Sequence, residues 1–130
     1  MIDLLVTEEI KEKLEENPEN AKEIIRSTDE IGICVTNADK EFTAVNDAYC
    51  QLYGYSREEL IGQKFTKIVP DNLKEQMEHL HDKFMKDKRE IARNWTVQTK
   101  SGPMEISVDT AYTDKAFGGP HKITFVSKES

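Results

Sequence analysis

Two blocks of alternating apolar residues precede a helical middle, and three follow it. That order constrains the fold more tightly than anything else in the chain. In "EIGICVTNADKEFTAVN", Ile31, Ile33 and Val35 alternate with Gly32, Cys34 and Thr36. Asn37-Ala38-Asp39-Lys40 is turn chemistry, and Phe42 to Val45 is a second strand, so the segment reads as a β-hairpin. Both faces of its first strand carry apolar or small groups, which predicts cover on both sides. Beyond the middle, Asn94 to Thr99 is a strand with Trp95 and Val97 on one face, and Lys100-Ser101-Gly102-Pro103 is a turn. Met104, Ile106, Val108 and Tyr112 then alternate with Glu105, Ser107 and Asp109, as in a half-buried strand. Asp114 to Gly119 form a loop, and "HKITFV" is the last strand. Five strands with helices segregated between them give an α+β fold. Neither the hairpin nor the three-strand piece is large enough to stand alone, so the two must meet across one sheet.

The middle is punctuated by caps. Asp47 is placed to cap a short helix through Tyr53, ended by Gly54. Ser56-Arg57-Glu58-Glu59 is a capping box, followed by Leu60-Ile61 and a stop at Gly62. A longer helix is expected from near Asp71, with Leu73, Met77, Leu80 and Phe84 in one apolar stripe. Residues 7–27 read as two short helices, the first capped by Thr7, the second restarted by Asn17-Pro18. They are thin in hydrophobes (Ile10, Leu14, Ile24, Ile25), so they should lie on another surface without forming a core. The division expected is residues 1–27 as a helical cap and dimerisation segment, and 28–130 as the sheet domain.

A chain of 130 residues suits one domain. Its mean hydropathy is -0.67, polar for a globular protein, but the apolar residues fall in periodic blocks, which excludes wholesale disorder. The net charge of -7 is concentrated in residues 1–30, which carry -6, against -1 for the rest. An acidic front on a near-neutral body argues against nucleic acid and anionic membranes as partners. Cys34 and Cys50 lie in apolar settings without metal-ligand spacing and read as buried free thiols. No signal peptide and no apolar run near the ~20 residues of a membrane span is visible. A reducing, cytoplasmic setting is therefore expected.

Groups placed for catalysis are few. Adjacent side chains on a helix point about 100° apart, so Glu58 and Glu59 cannot share one site; the capping role accounts for Glu59. His79 and His81 lack the i, i+4 spacing of a helical metal pair. His79 points to solvent, and His81 sits at the boundary of the apolar stripe, with a cofactor ligand as its alternative role. No G-x-S-x-G and no phosphate loop is present. Phe65, Ile68, Met77, Leu80, Phe84, Trp95, Val97, Ile106 and Val108 converge on one centre. A core and a pocket share such a lining, and both readings stand; Met77 and Met85 are adaptable fillers. A small enzyme would need a constellation that these residues do not supply.

"GICVTNADKEFTAVNDAYCQLYGYSREELIGQKFTKIVP" resembles the PAS domain family, whose pattern reads GI-x-V-T-D, then V-N-x-A, then GYS-x-E-E-L-I-G. "WTVQTKSGPMEISV" looks like the later strands of that family with their Lys-x-Gly turn. The likeness covers about Ile24 to Val126. Asn37 stands where Asp is usual and Lys40 where Gly is usual, both within the hairpin turn. The resemblance implies a PAS fold: a five-stranded antiparallel sheet, helices over one face and an N-terminal helical cap. It also implies a non-catalytic sensory or signal-transduction module, of the kind found in two-component systems, which binds a small ligand or a protein partner and dimerises through a flanking helix.

Photochemical members of the family carry reactive residues that this chain lacks. Gly62 is followed by "QKFTKIV", without the cysteine of flavin-photoadduct domains. The chromophore cysteine of photoactive-yellow-protein-like members falls on Asp71, and their paired Tyr and Glu fall on Val45 and Tyr49. Haem-binding members ligate iron from the long helix; here His81 would serve, although the usual position aligns near Asp87. The alternative reading is thus a haem or non-covalent flavin sensor, with His81, Met77, Leu80, Phe84, Trp95, Val97, Ile106 and Val108 as pocket candidates. No metal is expected unless haem binds His81. No output domain follows "FVSKES", so the chain is either an excised sensor or acts on another protein, with the acidic N-terminal helices as the surface for a partner or second copy.

Overall fold

The computed structural model describes residues 2–90 and 93–129. Strands β1 (Gly32–Asn37), β2 (Phe42–Val45), β3 (Arg93–Thr99), β4 (Gly102–Thr113) and β5 (His121–Lys128) form one antiparallel sheet in the order β2-β1-β5-β4-β3. The hairpin and the three-strand piece join between β1 and β5, with Ile33 opposite Phe125 and Val35 opposite Ile123. The expected α+β fold is present, with both ends of the chain sequence brought to the middle of the sheet.

Helices α3 (Asp47–Tyr53), α4 (Arg57–Leu60) and α5 (Lys74–Asp87) cover the inner face. The cap of α3 is Asn46, one residue before the expected Asp47. Its Oδ1 accepts from Tyr49 N and from Ile33 N, each at 2.9 Å, while Nδ2 donates to the carbonyls of Thr28 and Ile31. A buried site needing two donors and an acceptor takes an amide; a carboxylate would leave both carbonyls unpaired. Gly54 ends α3 at φ +79°, where a side chain would be strained and its Cβ would meet Lys100 Cβ at 3.2 Å. The capping box at Ser56 and Glu59 forms in both directions. Helix α5 begins at Lys74 after a 3₁₀ turn over Asp71–Leu73, three residues later than the sequence suggested.

The N-terminal helices α1 (Leu4–Glu16) and α2 (Ala21–Ser27) depart furthest from expectation. They form a second core. Ile2, Ile10, Leu14, Ala21 and Ile25 pack on Ile31, Ile33, Val35, Ile123 and Phe125 of the outer sheet face. Asp3 caps α1, and Thr7, expected as the cap, is fully buried within the helix, its hydroxyl donating to Asp109. Asn17 makes no N-cap bond; its Nδ2 donates to Lys13 O and closes α1. With α1 in place, β4 is covered on both faces. Ser107 and Asp109, expected at a solvated face, are buried. Ser107 Oγ accepts from Ile2 N at 3.0 Å. Among the described residues, no helix is long and apolar enough to cross a membrane.

Candidate ligand-binding cavity

A cavity of about 100 Å³ lies between the inner sheet face and helices α3 and α5. Alternation along the strands sends Cys34, Thr36, Val97, Ile106, Val108, Lys122, Thr124 and Val126 to it, because residues two apart share a face. Phe42, Tyr49, Tyr53, Ile68 and Val69 add an apolar wall. Tyr49 stacks on Tyr53 with ring centroids 4.2 Å apart, and its hydroxyl hydrogen-bonds Cys34 and Tyr53. Burial pushes the Cys34 thiol up to about 11 and raises both tyrosines, so this wall is neutral and unreactive.

The opposite end is polar. His81 is 3 % exposed and stacks on Phe65 with centroids 5.2 Å apart. Its Nε2 is 2.8 Å from Thr36 Oγ1, while Nδ1 is buried without a hydrogen-bond partner. Burial first, then the charges of Lys122 and Lys40, hold the imidazole down to about 4, so it is neutral at pH 7. Lys122 Nζ lies 4.6 Å from the Phe84 ring centroid and pairs with Glu90 Oε2 at 3.3 Å. Both side chains of that pair are nearly enclosed, and both line the cavity.

Of the residues selected from sequence, Met77, Leu80, His81, Trp95, Val97, Ile106 and Val108 line the cavity, and Phe84 does not. Phe84 is buried between Lys122 and Tyr112 and faces an outer groove. His81, placed by the apolar stripe at a boundary, is buried; the helix face toward the sheet runs through Met77, His81 and Phe84, with Leu80 at its flank. Thr36, Glu90 and Lys122 were missed. Thr36 and Lys122 were detectable in principle, since each lies on the inward register of its strand, two residues from Cys34 and Thr124 respectively. Glu90 lies in a connection, and nothing in its local sequence marks it.

The cavity does not fit a haem or a flavin. Pockets for ligands of that size run to roughly 300–1,000 Å³. The Nε2 atom that would reach iron is also engaged with Thr36.

The sequence profile described as PAS domain matches residues 30–120, more than half of the chain. The chain belongs to the PAS domain family. Solved PAS domains share its fold at low identity. One from Desulfitobacterium hafniense has a TM-score of 0.72 at 16% identity, covering 83% of this chain and 100% of that one. A PAS domain from a two-component sensor histidine kinase has a TM-score of 0.66 at 21% identity, covering 91% and 99%. The PAS domain of the Cronobacter turicensis quorum-sensing receptor RpfR, in complex with BDSF, has a TM-score of 0.66 at 14% identity, covering 80% and 98%. No curated protein matches the chain. The PAS pattern also accounts for one strained residue: Lys40, where Gly is usual, adopts φ +67° and turns its Nζ to Asp82 on α5 at 2.9 Å.

Proposed function

We propose that this PAS domain is a non-catalytic sensor module, cytoplasmic and working within a signal-transduction chain such as a two-component system, that takes a small ligand in its inner cavity. The observation that carries this reading is the unpartnered His81 Nδ1 at the polar end of an apolar chamber. A buried polar atom left unpaired costs about 1–3 kcal/mol, and a ligand that satisfies it recovers that energy on binding. The chamber is smaller than the roughly 150 Å³ apolar cavity that accepts benzene, so the ligand has about three to five non-hydrogen atoms. Met77 and Trp95 offer an adjustable wall against it.

The test is a nuclear magnetic resonance screen of small molecules against the full chain with labelled methyl groups. Saturable shifts confined to Ile106, Val108 and Val126 are expected, weakened at least about tenfold by His81→Leu. Shifts confined to surface groups for every compound would refute the reading.

Association between two copies through α1 is the second part of the proposal. Leu5 is 84% exposed and Leu4 51%, the largest exposed apolar groups among the described residues. Helix α1 carries five acids and two bases, so two copies repel and pair more tightly as salt rises. Sedimentation at low and high salt tests this; Leu5→Glu is expected to leave a monomer under both conditions.

A further inference from the structure

Glu90 stands between two spaces. It lines the inner cavity, and it also lines an outer groove whose other charged residues are Lys83, Asp87, Arg89 and Arg93, three bases against one acid. Its carboxylate occupies Lys122, the one ammonium that lines the cavity among the described residues, at 3.3 Å. The surrounding segment is basic in an acidic protein: residues 83–93 hold five bases and two acids, while the chain carries -7. A carboxylate from the protein itself thus sits on a nearly enclosed cation at the mouth of a small apolar chamber, beneath a basic vestibule.

We infer that the cavity takes a short-chain monocarboxylate of about four or five non-hydrogen atoms, whose carboxylate replaces that of Glu90 on Lys122. This rests on the small-ligand reading above and names its chemical class. The Lys122 ammonium supplies a charge-assisted hydrogen bond to the incoming anion. In the tautomer where Thr36 donates its hydroxyl to His81 Nε2, the ring proton sits on Nδ1 and is available as a second donor for the same head group. The alkyl part of the ligand packs on Val108, Ile106 and Trp95. The displaced Glu90 carboxylate turns out among Lys83, Arg89 and Arg93, so the chamber never holds two anions on one lysine. Because Glu90 is the internal competitor, it lowers ligand affinity, and its release from Lys122 is the ligand's mark on the rest of the molecule.

The experiment titrates sodium propionate and, in parallel, neutral 1-propanol into the full chain, following the Ile106, Val108 and Val126 methyl resonances. Propionate is expected to bind at least about tenfold more tightly than propanol, with Glu90→Gln raising propionate affinity about tenfold further. The double variant Lys122→Met with Glu90→Gln removes both charges, leaves neither unpaired, and is expected to abolish the preference for propionate. Equal binding of propionate and propanol overturns the carboxylate assignment and leaves the small-ligand function standing. An unchanged propionate affinity in Glu90→Gln overturns the displacement. Failure of both compounds to move any cavity methyl overturns this inference, and the small-ligand function is then decided by the wider screen.

Discussion

Thr7 Oγ1 donates a 2.7 Å hydrogen bond to Asp109 Oδ2, joining α1 to β4 across 102 positions of sequence. Lys11 Nζ lies 2.9 Å from the same carboxylate oxygen, and Thr110 N donates to Oδ1. The carboxylate is buried and takes three donors, so α1 is held on the sheet in one register as well as by its apolar face. Asp109→Ala leaves the buried Thr7 hydroxyl only the Leu4 carbonyl of its own helix, takes the partner from Lys11, and is expected to destabilise the fold by about 2 kcal/mol, read from urea unfolding. Asp109→Asn keeps an acceptor for Thr7 and is expected to lose about half of that. A loss below about 0.5 kcal/mol for the alanine variant contradicts the anchoring role.

Removing residues 1–27 strips the cover from Ile33, Val35, Ile123 and Phe125, all fully buried in the intact fold. An exposed apolar face of this kind binds dye and drives association. The truncated chain is expected to bind an anilinonaphthalene dye and to elute as a larger species in size-exclusion chromatography with light scattering. A monomer with unchanged dye fluorescence contradicts the second core.

Asn46 is fully buried and bonds four backbone groups, tying α3 and the Thr28–Ile31 connection to β1. Asn46→Asp keeps the acceptor and loses both donors, leaving two carbonyls facing a carboxylate. A destabilisation of about 3 kcal/mol or more is expected at neutral pH, partly relieved in acid as the carboxyl protonates. Thermal unfolding at pH 7 and pH 5 checks both the size and the sign.

His81 gives the fold an acid-sensitive limb. Its folded value, about 4, lies below the ordinary 6.5. As pH falls from about 6.5 to 4, the unfolded chain takes up a proton that the folded chain refuses. Stability is therefore full above about 6.5 and declines through that window, by roughly 3 kcal/mol in all. His81→Leu is expected to flatten the slope between pH 6.5 and 5, where most carboxylates have not begun to titrate. An identical slope in that variant would assign it to other groups.

Much of this fold was legible in the sequence because it is written in short-range rules. Alternation gave the strands, Ser56 with Glu59 gave a helix start, and Gly54 and Gly62 marked turns. Errors at Thr7, Asp47 and Asn17 share one cause. Several polar residues near a helix start satisfy the local capping rule equally well, and tertiary partners decide among them. Asn46 wins over Asp47 because Ile33, Thr28 and Ile31 demand an amide. Thr7 turns inward because Asp109 is beneath it.

The apolar lining of the cavity was legible for the same reason as the strands: Trp95, Val97, Ile106 and Val108 follow a period of two. Of its polar end, only His81 was picked out. Thr36, His81, Glu90 and Lys122 come from two strands, a helix and a loop, and their meeting depends on β5 entering the sheet beside β1. The sequence by itself determined the elements, their order and the family, because periodicity and caps act over a few residues. Only the tertiary structure decided that the acidic N-terminal helices build a second core, and that one histidine and one ion pair share a chamber. Both follow from contacts between segments distant in the chain, whose energies no local pattern encodes.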